Sequence, residues 1–200
     1  MITNIFTTSV NNLKALKMVL DFKNFPKLTT ERLVLRNIEK TDADLIHQLR
    51  SDEIVNAFVG RDNSSTVEKA KDYILKIQNL IHQNECIYWV ISLKENNDLI
   101  GCICLWNFDP ENEIVEIGYE MQPAFQGRGI MGEAIKKTIT YAFEEIKAKM
   151  ITAFPSSDNI HSVALLKKLN FEPEDKKYNN THKNIKNLVT YTLKNKTIVY

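Results

Sequence analysis

The chain has few of the residues that stiffen, staple or anchor a fold. Its 200 residues include three cysteines, five prolines and six glycines. Cys86, Cys102 and Cys104 are an odd set and do not look like a disulfide framework. Cys102 and Cys104 lie two apart in one apolar run, and no second Cys or His pair accompanies them, which disfavours a metal or redox site. They read as small buried hydrophobes in a reducing compartment. No stretch approaches the roughly 20 apolar residues that span a bilayer. The opening residues have no long apolar block followed by a small-residue cleavage site. The expectation is a cytoplasmic protein without a membrane partner. Excess charge is missing too: 26 Lys and Arg face 25 Asp and Glu, a formal net charge of +1. That removes any global pull toward nucleic acid or other polyanions, so a substrate must be argued from a local site. Internal repeats and low-complexity blocks are absent.

What is present is the balance of a globular protein, 44% apolar and 26% charged, in a length that buries a core without staples. Sharp patterning begins at Leu28, which suggests an N-terminal extension over 1–27 and a single domain over 28–200. Within the extension, Leu13, Leu16, Lys17 and Leu20 hint at a short helix. Residues 32–36 alternate polar and apolar, as a strand does. Thr41 with Asp44 has capping-box spacing ahead of Leu45, Ile46 and Leu49, and Ser65 with Glu68 repeats the device. Behind the second pair, Val67, Ala70, Ile74, Ile77 and Ile81 predict a long amphipathic helix. Residues 87–93 and 99–106 flank Asn96-Asn97-Asp98 as a hairpin, and 113–121 form a third strand. A helix starting at Gly129 buries Met131, Ile135, Ile139, Ala142, Phe143 and Ile146. A strand over 150–154, a helix over 159–169 and a β-rich run over 188–193 complete the order. Asn170 suits the left-handed conformation common just past a helix end. The fold class is α/β (α+β) with a mixed sheet.

One motif carries chemistry. Gln126-Gly127-Arg128-Gly129-Ile130-Met131-Gly132 stands between a strand and a long helix. A helix start leaves backbone N–H groups without internal partners and carries partial positive charge. Gly127, Gly129 and Gly132 let an anion come close, and Arg128 adds a full charge. No Walker pattern is present. Gly-x-Gly-x-x-Gly does fit, but the turn lies late, after an antiparallel hairpin. Glu144 and Glu145 sit inside the helix rather than at the end of a second strand, unlike a dinucleotide-binding unit.

The turn resembles the acetyl-CoA motif of the GNAT acetyltransferase superfamily, with Gln126-Gly127-Arg128-Gly129 matching its Gln/Arg-x-x-Gly core. Glu116-Ile117-Gly118-Tyr119-Glu120-Met121-Gln122-Pro123 is similar to the preceding strand of the branch that holds the ribosomal-protein (N-terminal alanine/serine) acetyltransferases. Asn159 to Phe171 resembles that branch's Asn-x-x-Ser-x-x-Leu helix, and Thr30 to Arg36 its first strand. The blocks occur in order and cover roughly residues 28–195. Met131 stands where the motif has Gly or Ala, and Asn170 where it has Gly; the stripe places Met131 in the core.

The resemblance implies a mixed, mostly antiparallel sheet flanked by helices on both faces. It implies acetyl-CoA as co-substrate and no metal. The pyrophosphate would rest on Gln126, Gly127, Arg128, Gly129, Ile130, Met131 and Gly132, the pantetheine near Tyr119, Glu120 and Met121, and Asn159 would touch the cofactor. The acceptor is an amine, of a protein N-terminus or of a small molecule such as a polyamine, amino acid or aminoglycoside; a non-catalytic acyl-CoA-binding module is the third reading. Direct attack needs a base and an acid. The late-helix tyrosine of many relatives is replaced by Leu166, so Ser162 is the candidate acid, with helix capping as its alternative; His161 is a rival donor set toward solvent. Glu116 and Glu120 share a strand face across Gly118 and are candidate bases, Glu116 preferred, with a solvated strand face as the alternative. Trp106, Phe108, Phe58 and Tyr88 could shape the pocket or simply fill the core. Acceptor choice would fall to the helical segment 42–85 and to the later loops. Monomer and homodimer are both compatible with this reading.

Overall fold

The computed structural model describes residues 18–61 and 66–196. Eight strands, β1 (Leu28–Thr29), β2 (Leu33–Arg36), β3 (Cys86–Leu93), β4 (Gly101–Asp109), β5 (Ile114–Met121), β6 (Met150–Ala153), β7 (Glu172–Pro173) and β8 (Tyr191–Lys194), form one sheet. Their order is β1-β2-β3-β4-β5-β6-β8-β7. All neighbours are antiparallel except β5 and β6. Five helices accompany it: α1 (Ala43–Ser51), α2 (Glu53–Asn56), α3 (Val67–His82), α4 (Ile130–Glu144) and α5 (Ile160–Lys168). The parallel pair is joined through α4, as a parallel connection requires a crossover.

Alternation along β3 assigns the faces. Tyr88 meets Tyr73 of α3, with ring centroids 6.1 Å apart. Its neighbour Trp89, fully buried, meets Tyr141 of α4 at 5.4 Å. Successive strand residues point to opposite sides, so α3 and α4 cover opposite faces. α3 docks through Ala70, Ile74, Ile77 and Ile81, all buried at the predicted spacing. In α4 the buried stripe runs through Ile130, Met131, Ala134, Ile135, Thr138 and Ala142. Its centre lies nearer Ala134 and Thr138 than the sequence suggests, and Ile139 and Phe143 are only half-buried. Met131 does enter the core.

Local punctuation differs in two places. The capping box lies at Glu39 and Asp42, not Thr41 and Asp44. The cause is Arg36, whose guanidinium binds both Asp42 oxygens at 2.8 and 2.6 Å while Asp42 Oδ2 accepts from Glu39 N–H at 2.8 Å. Ser65, proposed as a cap from its spacing, lies outside the described residues. The cap of α3 is Thr66, whose hydroxyl accepts from Lys69 N–H at 3.2 Å. The short helix suggested by Leu13, Leu16 and Lys17 also lies outside the described residues, and Leu20 is not helical. Asn170 has φ 63°, the left-handed conformation expected of it. No helix of the described residues is long and apolar enough to cross a membrane.

Candidate active site

The site begins where two parallel strands part. β5 and β6 pair only at Ile114, Val115 and Glu116, whereas β5 pairs with β4 as far as Met121. From Ile117 to Met121 one edge of β5 therefore has no strand beside it. Gln122 N–H donates to Ile100 O on the β4 side, so by alternation Ile117, Tyr119 and Met121 turn their backbone groups to the open edge. The Met121 carbonyl is taken by the Gln126 side chain at 2.9 Å. The backbone of Ile117 and Tyr119 is left facing the gap, a place for an extended amide-bearing chain to pair.

Beyond Met121 the chain passes a 3-10 turn, Pro123–Phe125, and reaches Gly127 and Gly129, both at φ 73°. Gly129 is the N-cap of α4 and brings no capping side chain. Glu133 N–H returns to Gly129 O at 3.1 Å, while the N–H groups of Ile130, Met131 and Gly132 have no acceptor within the helix. A Cβ on Gly127 would meet nothing within 4 Å, and one on Gly129 would lie 3.7 Å from Arg32 Nη2. The turn is thus open, exposed and rich in donors. Glu133 clamps it to the first strands. It accepts from the Thr30 hydroxyl at 2.5 Å, Arg32 N–H at 3.0 Å and Arg32 Nε at 2.7 Å. Burial pushes the Glu133 carboxyl up, but the bonds from Thr30 and Arg32 outweigh it and hold the group below its ordinary range.

On the far side of the gap stands α5. Asn159 Oδ1 caps it by accepting from Ser162 N–H at 3.0 Å. That cap fixes Ser162, whose Oγ lies 2.8 Å from the Tyr119 hydroxyl. Burial pushes the Tyr119 phenol up to about 12, although the Ser162 bond pulls it down. It stays protonated at neutral pH and is a standing donor. Leu166 is fully buried, and His161 is exposed.

Ser162, Asn159, Tyr119, Glu116 and Glu120 all line one cavity of about 430 Å³ on the α3 side of the sheet. The two carboxylates have different partners. Glu116, 2% exposed, holds His182 Nε2 at 2.5 Å through Oε1 and Asn107 Nδ2 at 3.2 Å through Oε2. The imidazole is wedged against Trp106 and Phe154, each 5.7 Å between centroids. Glu120 instead binds Arg61 Nη1 at 2.5 Å, with Arg50 Nη1 at 4.0 Å. Of the aromatic residues considered for the pocket, Trp106, Phe58 and Tyr88 line it, and Phe108 packs against Phe22 instead. All three cysteines are free, and burial raises each thiol. Among the described residues no group of three or more His, Cys, Asp and Glu is placed to hold a metal.

Sequence reasoning missed His182, Arg61 and Arg50. His182 lies in a polar stretch without periodicity, and no local spacing ties it to Glu116. Tyr119 was singled out for its backbone, not its hydroxyl. The turn from Gln126 to Gly132 is not part of the cavity; it forms the outer end of the gap that leads into it.

Residues 32–172 match the family model described as an acetyltransferase (GNAT) domain. The uncharacterized N-acetyltransferase p20 of Bacillus licheniformis is 34% identical over 147 residues, covering 74% of this chain and 83% of that protein. The structure of RimL, a ribosomal L7/L12 alpha-N-protein acetyltransferase in complex with coenzyme A, is similar with a TM-score of 0.71 at 18% identity, covering 84% of this chain and 98% of that one. The ribosomal-protein-S5-alanine acetyltransferase from Vibrio fischeri has a TM-score of 0.70 at 24% identity, covering 86% and 97%.

Proposed function

The chain belongs to the GNAT acetyltransferase family, and from that premise we propose that it acetylates the N-terminal amine of a protein by direct attack in the cavity between α3 and α5. The observation that carries this reading is the convergence on one cavity of a strand edge without a partner, a hydroxyl pair and a buried carboxylate–imidazole pair. Acetyl-CoA supplies the activated acyl thioester. The chain has a fitting seat for it: three N–H groups at the uncapped start of α4, left-handed glycines with open space beside them, and the Ile117 and Tyr119 backbone facing the gap. Asn159 offers its amide nitrogen, which the cap does not use.

In direct transfer the amine nitrogen bonds to the acetyl carbon and the carbon–sulfur bond breaks. The amine loses a proton and the sulfur gains one. Glu116 and His182 serve the first proton. With Nε2–H donated to the carboxylate, Nδ1 keeps its lone pair and can accept. Ser162 serves the second: either hydroxyl of the Tyr119–Ser162 pair can donate, and in the arrangement where Tyr119 donates to Oγ the serine proton is free for sulfur. Glu120 is less suited to act as base, because its carboxylate is engaged by Arg61 and faces Arg50.

The protein N-terminus is favoured by the named activity of RimL, an alpha-N-protein acetyltransferase, and a protein acceptor also by that of the Vibrio fischeri ribosomal-protein-S5-alanine acetyltransferase. A small amine is the second reading, favoured by a volume within the range of small-molecule sites, about 300–1,000 Å³. Incubation with acetyl-CoA and either N-terminal peptides or a panel of small amines, following free thiol, decides between them. Turnover of peptides alone is expected; turnover of small amines alone overturns the proposal. Glu116→Gln is expected to lower kcat about 10²–10⁴-fold, the usual contribution of a positioned base, with CoA affinity retained.

A further inference from the structure

The far end of the cavity holds more positive charge than it needs. Arg50, Arg61 and Lys76 line it, and among the described residues Glu120 is the one carboxylate there. Both arginines are largely buried, with side chains 17% exposed. Arg50 stacks 3.7 Å above the Tyr73 ring, which fixes its plane. Arg61 uses Nε on Asn56 Oδ1 at 2.8 Å and Nη1 on Glu120. Its Nη2 is buried and has no hydrogen-bond partner among the described residues. A buried guanidinium nitrogen without an acceptor is costly, and a planar fork with a free arm is shaped for a carboxylate.

Taking the proposed function as its basis, we infer that the acceptor carries a carboxylate, seated on Arg61 Nη2 with Arg50 and Lys76 beside it, while its amine lies at Glu116 and His182. Glu116 and Glu120 are four residues apart on one strand, so the two ends of the site are separated by about 13 Å of backbone. An extended peptide advances about 3.3–3.6 Å per residue, so three residues together with the reach of an acidic side chain or terminal carboxylate span that distance, which sets the carboxylate near the third residue. Two sources share this chemistry: an acidic side chain near a protein N-terminus, and the terminal carboxylate of a free short peptide.

The test compares kcat/KM for eight-residue, C-terminally amidated peptides with Glu or Gln at the second or third position, and for free Ala-Ala-Ala against its amide. The expected result is a preference of roughly tenfold or more for the charged member, the scale of a lost charge-assisted hydrogen bond. In Arg61→Met the preference is expected to fall to within about twofold, with Arg61→Lys intermediate as a cation without the fork. A preference ratio does not depend on the fraction of folded protein. Preference within the amidated pair assigns the side-chain source, and preference within the free tripeptide pair assigns the terminal one. Equal rates for charged and amide forms sink the inference and leave acetyl transfer standing. Calorimetric binding of the same peptides to the protein with CoA covers the remaining case. Selective binding without turnover supports the carboxylate seat and removes the catalytic reading; absence of selectivity there as well removes both.

Discussion

Leu166 stands where the resemblance leads to the expectation of a tyrosine, and it is fully buried. Under the proposed mechanism the hydroxyl chemistry of that position is supplied from the opposite wall, where the Tyr119 hydroxyl on β5 meets Ser162 on α5. The two act through one hydrogen bond, so their contributions are coupled and not additive. Ser162→Ala is expected to lower kcat at least tenfold, the lower end of general-acid effects being larger still, with little change in CoA affinity. Tyr119→Phe should cost less, because serine keeps its own proton. The double variant should be no slower than Ser162→Ala. Steady-state rates with a saturating acceptor check this, and a double variant slower by the product of the two single effects would separate the residues into independent roles.

At the scale of the element, the start of α4 carries the cofactor prediction. Gly127 and Gly129 share φ 73°, where an L side chain costs about 1–2 kcal/mol. Both Gly127→Ala and Gly129→Val pay that backbone strain, but valine also fills the approach to the Ile130, Met131 and Gly132 N–H groups. Gly129→Val is expected to weaken CoA binding strongly in calorimetry while circular dichroism shows the fold kept. Unchanged CoA affinity in Gly129→Val would move the pyrophosphate away from this turn. The turn was legible in sequence because glycine spacing, strand end and helix start are local signals. So were α3, the β3–β4 hairpin and the face shared by Glu116, Gly118 and Glu120. The partners that divide those two carboxylates were not legible. Arg61 meets Glu120 across 59 residues and His182 meets Glu116 across 66, and no periodicity encodes contacts at such range. The capping shift from Thr41 to Glu39 has a different origin, a contact only six residues long: Arg36 at the end of β2 decides which aspartate is held.

At the scale of the molecule, the sheet separates two tasks and the gap between β5 and β6 joins them. The cavity proposed for the acceptor lies on the α3 face, the anion-ready turn opens at the start of α4, and the free edge of β5 runs between. Holding that gap at fixed width requires the sheet and its two layers to stay in register, and residues 18–27 tie three of those parts together. Val19 N–H donates to Ile146 O beyond α4, Phe22 N–H to Asn84 Oδ1 in the α3–β3 turn, and Trp89 of β3 donates to Pro26 O. Phe22 is 2% exposed and lies 5.8 Å from the Phe108 ring. Weak patterning set this segment outside the domain in sequence, because a strap without helix or strand has no period to read. Its packing predicts a structural role. Phe22→Ala is expected to cost about 3–5 kcal/mol of folding stability, the range for a buried phenylalanine, seen as a lower denaturant midpoint at an unchanged slope. A loss below about 1 kcal/mol would mean that a surface change is all the substitution makes, and would confine the folded unit to the residues from Leu28 onward.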